Sequence, residues 1–338
     1  MNFKQLFEKV YLGNHLSIEE SKSALLCILE GSCEAPQISA FLTALHMKGE
    51  TSEELAGFAL AMRQMSVSIS CDGKKTLDTC GTGGDRKGSF NISTVTAFVV
   101  AGCGIPVVKH GNRAASSRCG SADLLEALGI RYRLKPEEAE KSLTKMNFAF
   151  LFAPDYHPAT SQVAPIRRQM GVPTIFNYLG PLTNPARPSA QLIGVFDRKG
   201  LELMAAAIKL MDPDKKVTLL HSDGGWDEAT PCGEFTAYRH HTGICKMSSA
   251  DFGIPFCNEK DLSGDDAATN AEIAISILHG ELGPRRDTVL INAALAIQLY
   301  HSELTNEEAL IEAKHSIDSR AALNVVRALQ DQFPSGKS

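Results

Sequence analysis

Between Asp78 and Thr94 the chain reads Asp-Thr-Cys-Gly-Thr-Gly-Gly-Asp-Arg-Lys-Gly-Ser-Phe-Asn-Ile-Ser-Thr, a turn with glycines at 81, 83, 84 and 88. Glycines this close let backbone N–H groups approach an anion without Cβ interference, and a helix that follows adds the partial positive charge of its N-terminus. Ser89, Asn91, Ser93 and Thr94 can donate to phosphate oxygens, and Ser93 could instead offer its oxygen to a hard cation. The dinucleotide fingerprint fails here, because after Gly81 and Gly83 its third glycine falls on Arg86. A Walker loop is absent too, since Gly73-Lys74 and Gly336-Lys337 lack the preceding glycine. The turn reads as a phosphate site of neither kind.

A second segment, Lys109-His110-Gly111-Asn112-Arg113-Ala114-Ala115-Ser116-Ser117-Arg118-Cys119-Gly120-Ser121, leaves one predicted strand and opens a predicted helix. Three cations, a histidine, an amide and three hydroxyls gather at a strand's carboxyl end, where open α/β sheets place their ligands. A solvated charge patch needs no such mixture. Cys80 and Cys119 lie inside the two segments and read as packing residues rather than nucleophiles.

Elements that could position these loops follow from punctuation and periodicity. In the first seventy residues Ser17 with Glu20, and Thr51 with Glu54, have capping-box spacing, and Gly31 and Gly49 stand where helices end. This predicts a small helical unit over residues 1–72, joined by part of 165–190. From about Lys75, short β-branched runs alternate with helical stretches, which implies crossover connections and a mainly parallel sheet. Predicted strands are Thr76–Asp78, Pro106–Lys109, Phe148–Ala153, Gln191–Phe196 and Val217–His221. Predicted helices include Ser93–Cys103, Ser121–Leu128, Asp265–Leu278, Pro284–His301 and Asn306–Leu329, and residues 334–338 read as a frayed tail. The expected fold class is α/β: a small N-terminal helical domain, 1–72, plus a larger α/β domain, 73–338.

Composition narrows the function classes. A net charge of −5 over 338 residues argues against binding duplex nucleic acid, which rests on a basic surface. The longest apolar run, Ile92 to Val108, is too short and too broken to span a bilayer. Nine cysteines without a CxxC pair suit a reduced compartment, and the first seventeen residues lack the apolar stretch of a secretory signal, so a cytoplasmic protein is expected.

The segments 78–94 and 109–129 together resemble the two signature loops of the anthranilate phosphoribosyltransferase family. Two further stretches agree: His157-Pro158 with Pro165-Ile166-Arg167-Arg168-Gln169-Met170-Gly171, and Phe176-Asn177-Tyr178-Leu179-Gly180-Pro181-Leu182-Thr183-Asn184-Pro185. The resemblance implies a nucleoside phosphorylase/phosphoribosyltransferase-like fold and an Mg²⁺-dependent transfer from phosphoribosyl pyrophosphate to the amine of anthranilate, a step of tryptophan biosynthesis. Donor contacts would fall on Gly81, Gly84, Asp85, Ser89, Asn91, Ile92, Ser93, Thr94, Lys109, His110, Gly111, Asn112, Arg113, Ala114, Ala115, Ser116, Ser117 and Ser121. Anthranilate contacts would fall on Gly81, Asn112 and Arg167, whose guanidinium can bond both carboxylate oxygens at once.

The metal residues implied are Ser93, Asp227 and Glu228, for two Mg²⁺ ions per subunit. Here the sequence departs from the family pattern, with Trp226-Asp-Glu-Ala-Thr-Pro-Cys in place of a Leu-Asp-Glu-Ile-Ser style of continuation. No covalent nucleophile is implied. Family members pair through their small domains, so a homodimer is expected, with no nucleic-acid or membrane partner. A pyrimidine nucleoside phosphorylase would share the design but not the Asp227-Glu228 pair or the 176–185 stretch. A nucleic-acid-binding paralogue would call for a basic groove and eroded metal ligands.

Overall fold

The computed structural model describes residues 1–114, 118–240 and 242–336. Four helices come first: α1 (Phe3–Tyr11), α2 (Ile18–Leu29), α3 (Ala35–Lys48) and α4 (Ser52–Gln64). The caps sit where the sequence puts them. Ser17 and Thr51 accept from the backbone N–H of Glu20 and Glu54, whose carboxylates accept in return, and Gly31 and Gly49 take positive φ at the helix ends.

The alternating region follows as β1 (Leu77–Gly81), α5 (Ile92–Gly102), β2 (Val107–Gly111), α6 (Ser121–Ala127), α7 (Pro136–Met146) and β3 (Phe148–Phe152). Three short helices, α8 (Ala153–Tyr156), α9 (Ala164–Met170) and α10 (Phe176–Leu182), lead to β4 (Ala190–Gly194), α11 (Arg198–Met211) and β5 (Lys216–Ser222). A hairpin, β6 (Phe235–Arg239) and β7 (Gly243–Met247), precedes the last helices, α12 (Ala267–Leu278), α13 (Pro284–Tyr300), α14 (Asn306–Asp318) and α15 (Ala321–Gln332).

The sheet order is β3-β2-β1-β4-β5-β6-β7, with the first five strands parallel and the hairpin antiparallel at one edge. Strand succession runs outward from β1 in one direction and from β4 in the other. The β1/β4 boundary is therefore a topological switch point, and the crevice beyond its carboxyl ends is where such sheets bind ligands.

Side-chain alternation divides the core between the two faces of the sheet. Leu192 and Leu220 pack with α5 and the C-terminal helices, whereas Ile193, Val217 and Leu219 pack with α11 and the N-terminal helices. Helix α10 touches α4 on one side and β1 and β2 on the other, and α9 packs on α3, so residues 164–182 tie the helical unit to the sheet.

Three expectations are corrected. The stretch 306–329 is two helices rather than one, because Arg320 adopts φ 68°, a left-handed conformation that no continuous helix accommodates. The β6–β7 hairpin was not expected. Its alternation shows in burial, with Phe235 and Ala237 inward, yet its strands are short and mix Thr, Arg, Gly and Lys among the apolar residues, which blurs the pattern. The tail is held as far as residue 335, through a bridge between Pro334 and Ile130 and a bond from the Ser335 N–H to the Gly129 carbonyl.

Candidate active site

Gly81 and Gly194 end β1 and β4 and face each other in register across the switch point. Neither could carry a side chain here. A Cβ on Gly81 would stand 2.4 Å from Asp227 Oδ2, and one on Gly194 would stand 1.3 Å from the Asp227 carbonyl oxygen. The loop after β5 thus rests directly on the strand ends, and Asp227 Oδ2 accepts the Gly83 N–H at 2.9 Å. Gly83 and Gly84, at φ 65° and 86°, and Arg86, at φ 57°, curl the glycine turn around this contact.

The result is a carboxylate cluster. Oxygens of Asp85, Asp227 and Glu228 all lie within 4.8 Å of one another. Burial and the neighbouring Asp227 charge push the Asp85 carboxyl up to about 6, and burial with Asp227 and Asp85 raises Glu228 well above the carboxylate range. Asp85 Oδ2 and Glu228 Oε2 are buried without hydrogen-bond partners. Three converging carboxylates with unmatched oxygens are an unfavourable arrangement alone and fit a hard divalent cation of the Mg²⁺ kind, which takes oxygen ligands.

The departure at 226–232 leaves the loop well anchored. Trp226 is buried beneath Lys87, whose ammonium stands 5.3 Å from the ring centroid. Ser222 Oγ donates to the Glu228 carbonyl, and Asn292 bonds both the N–H and the carbonyl of Ala229.

Around the glycine turn, Lys109 is buried, and its ammonium donates to the Thr79 carbonyl at 2.5 Å and to Ser93 Oγ at 3.2 Å. Desolvation lowers its pKa, opposed by Asp78, Cys80 and Glu228. Thr94 Oγ1 and Asn91 Oδ1 are buried without partners, while Asn91 Nδ2 donates to the Cys119 carbonyl. Ser89 pairs through a backbone bridge with Ser263. Ile92 has no exposed surface, so only its backbone can serve a ligand.

The second loop closes tightly on itself. A Cβ on Gly111 would stand 2.2 Å from Ser121 Oγ, which donates to the Asn112 carbonyl at 3.2 Å. The Arg113 guanidinium is taken up by Asp123, Glu126 and Tyr132, and the Ala114 N–H by Asp123. Ala115, Ser116 and Ser117 lie outside the described residues.

On the far side of β2 the chemistry changes. His110 Nδ1 stands 3.3 Å from the Gly180 carbonyl and His157 Nε2 2.9 Å from the Thr183 carbonyl, with the two rings 5.2 Å apart. Burial pushes His110 down to about 4 and His157 to about 3, so both are neutral near pH 7. Arg167, on α9, lies 4.9 Å over the Phe176 ring, which itself packs edge-on against Phe58 of α4. No carboxylate among the described residues pairs with Arg167, and desolvation lowers its pKa; Arg168 points to solvent.

Asp85 as a member of the carboxylate cluster, and His157 beside His110, are functional candidates that sequence reasoning missed. An acid set among glycines was the available signal for Asp85. For His157 there was none beyond its place in a matching stretch.

Comparison with known proteins agrees with this architecture. Residues 4–66 match the helical bundle domain, and residues 73–323 the a/b domain, of a glycosyl transferase family, which defines the class. Anthranilate phosphoribosyltransferase of Moorella thermoacetica is 44% identical over 333 residues, covering 96% of this chain and 97% of its own. That of Solibacter usitatus is 46% identical over 322 residues, covering 94% of each. Among solved structures, the Thermus thermophilus enzyme superposes with a TM-score of 0.92 at 35% identity, covering 97% of this chain and 98% of its own. The Saccharomyces cerevisiae enzyme in complex with PRPP and Mg also reaches 0.92, at 28% identity, covering 98% and 97%. The chain belongs to the anthranilate phosphoribosyltransferase family.

Proposed function

We propose that this chain transfers the phosphoribosyl group of phosphoribosyl pyrophosphate to the amine of anthranilate, releasing pyrophosphate, in tryptophan biosynthesis. The observation that carries the reading is the carboxylate cluster of Asp85, Asp227 and Glu228, seated beside a glycine turn at the switch point of this family's sheet. Relatives named for this reaction, and a yeast structure with PRPP and Mg, support it. A further yeast structure in complex with 4-fluoroanthranilate supports an aromatic amine as acceptor.

The donor lies along Gly81–Thr94 and Lys109–Ser121. Asp85, Asp227 and Glu228, with Ser93 across the turn, hold two Mg²⁺ ions per subunit. Bound there, Mg²⁺ neutralises charge on the pyrophosphate leaving group. The turn's N–H groups and the start of α5 orient the phosphates, and Lys109 braces the turn from below through the Thr79 carbonyl and Ser93 Oγ. Arg167 and Asn112 hold the anthranilate carboxylate so that its amine faces the anomeric carbon. The C–N bond forms as the C–O bond to pyrophosphate breaks, with inversion, and the amine then releases a proton. Neutral His110 presents an acceptor on that side; no residue need form a covalent intermediate.

The same reading divides the chain into a helical domain, residues 1–72 with part of 165–190, and an α/β domain over the rest. It makes the molecule a homodimer through the helical domain, where Tyr11, Leu12 and Met47 are exposed apolar side chains. No helix of the described residues is long and apolar enough to cross a membrane, and the reading places the enzyme in the cytoplasm. Mixing the protein with anthranilate, phosphoribosyl pyrophosphate and Mg²⁺ should extinguish anthranilate fluorescence. Absence of turnover, with phosphorolysis of a pyrimidine nucleoside instead, would overturn the proposal.

A further inference from the structure

Asp78 has no exposed surface and lies on β1, next to the switch point. Its Oδ2 accepts two amide N–H groups, from Asn184 Nδ2 at 2.9 Å and from Gln191 Nε2 at 3.0 Å. Each amide donates a second time, Asn184 to the Val108 carbonyl at 2.8 Å and Gln191 to the Pro181 carbonyl at 2.9 Å. Asn184 Oδ1 in turn accepts the Ala186 N–H. One carboxylate therefore ties together β1, β2, β4 and the turn that ends α10.

That turn carries the two carbonyls that meet the histidines, Gly180 against His110 Nδ1 and Thr183 against His157 Nε2. A carbonyl can only accept, so the proton of the neutral His110 ring sits on Nδ1, whereas His157 also meets the Met62 backbone and is not fixed by Thr183 alone. His110 is left with a bare Nε2, which is buried and has no partner in the protein. Moving the 180–184 turn would release His110 to the other tautomer.

We propose that Asp78 is a positioning residue for the acceptor half of the reaction: through Asn184 and Gln191 it fixes the 180–184 turn, which sets the bare nitrogen of His110. The inference rests on the transferase reading above. A purely space-filling role does not account for the carboxylate. An apolar side chain could occupy the same volume without burying polar oxygens, whereas burial raises the pKa of Asp78 and leaves one oxygen, Oδ1, with no partner. What the Asp78 oxygen supplies is an acceptor shared by amides from two distant segments, each amide held in one orientation by its second bond.

The test separates tautomer from turnover. The ligand-free protein, labelled with ¹⁵N at histidine, is compared as wild type, Asp78→Asn, Asp78→Ala and Gln191→Leu, and each is assayed for kcat and for KM toward both substrates. The wild-type spectrum should show His110 protonated at Nδ1. Asp78→Asn keeps an oxygen that accepts from both amides and should preserve that pattern. Asp78→Ala should give mixed tautomers at His110 and raise the KM for anthranilate by about tenfold, leaving the KM for the donor within about twofold. Unchanged tautomers in folded Asp78→Ala, or equal losses on both substrates, would overturn the proposal. Should Asp78→Ala not fold, Gln191→Leu removes a single strut and must show the same tautomer shift at smaller size; its absence is equally fatal. A wild type with the expected spectrum but no turnover of anthranilate would sink the reaction and leave the spectrum to decide the strut.

Discussion

The two regions that the proposed reaction assigns to donor and acceptor are built on opposite principles. The donor half concentrates charge: three carboxylates within 4.8 Å of one another and a buried lysine, framed by backbone N–H groups at the β1/β4 switch point. The acceptor half excludes it. His110 and His157 are held neutral by burial, and Arg167 lies over Phe176 where the helical unit meets the sheet. A polyanionic donor needs countercharge and a cation, while an aromatic amine needs an apolar slot with one cation for its carboxylate. The contrast also divides the proton chemistry, since Asp85 is pushed up to about 6 and the histidines are pushed down.

The largest effect that could break this comparison lies on the donor side. Asp227→Asn with Glu228→Gln should lower kcat/KM by about 10³-fold at fixed Mg²⁺, because both substitutions remove charge where the leaving group's charge must be balanced. A Mg²⁺ titration of steady-state rate checks it, and wild-type activity at every concentration would remove the metal from these residues.

Arg167→Ala should raise the KM for anthranilate about 30-fold, equivalent to roughly 2 kcal/mol for a charge-assisted pair, with the donor KM little changed. Initial-rate measurements varying each substrate decide it. The reverse ordering would move Arg167 out of the acceptor half.

A further effect concerns stability. His157 is pushed down to about 3 from the ordinary 6.5, so the unfolded chain takes up a proton before the folded one does. The stability tied to it is complete above pH 6.5 and is lost as pH falls, at about 1.4 kcal/mol for each unit down toward its folded value. His157→Gln should therefore flatten the fall of unfolding free energy between pH 6.5 and 4 in urea titrations. An unchanged slope would mean that His157 is charged in the folded protein and the acceptor half is not neutral.

The two halves were unequally legible in the sequence. Glycine spacing, hydroxyls at a helix start and a lysine closing a strand announce anion chemistry through local rules, and the structure gathers Gly81, Ser93, Lys109 and Asp227 around one crevice. Asp85 stood among the donor residues, and only the approach of the 226–229 loop turns it into a partner of Asp227 and Glu228. Arg167 could be singled out by resemblance alone, because nothing local distinguishes it from Arg168; tertiary burial does.

What the sequence determined by itself was local in origin: the capped helices of the first seventy residues, the glycine turn, and the alternation that implies a parallel sheet. These depend on neighbours within a few positions, where propensity and hydrogen-bond spacing act directly. Tertiary structure alone decided that β1 lies beside β4, bringing Gly83 and Asp227, 144 residues apart, to within one hydrogen bond. It likewise decided that Asp78 would find Asn184 and Gln191. Such contacts are selected by which apolar faces can be buried together, a property of the whole chain that no short stretch of residues encodes.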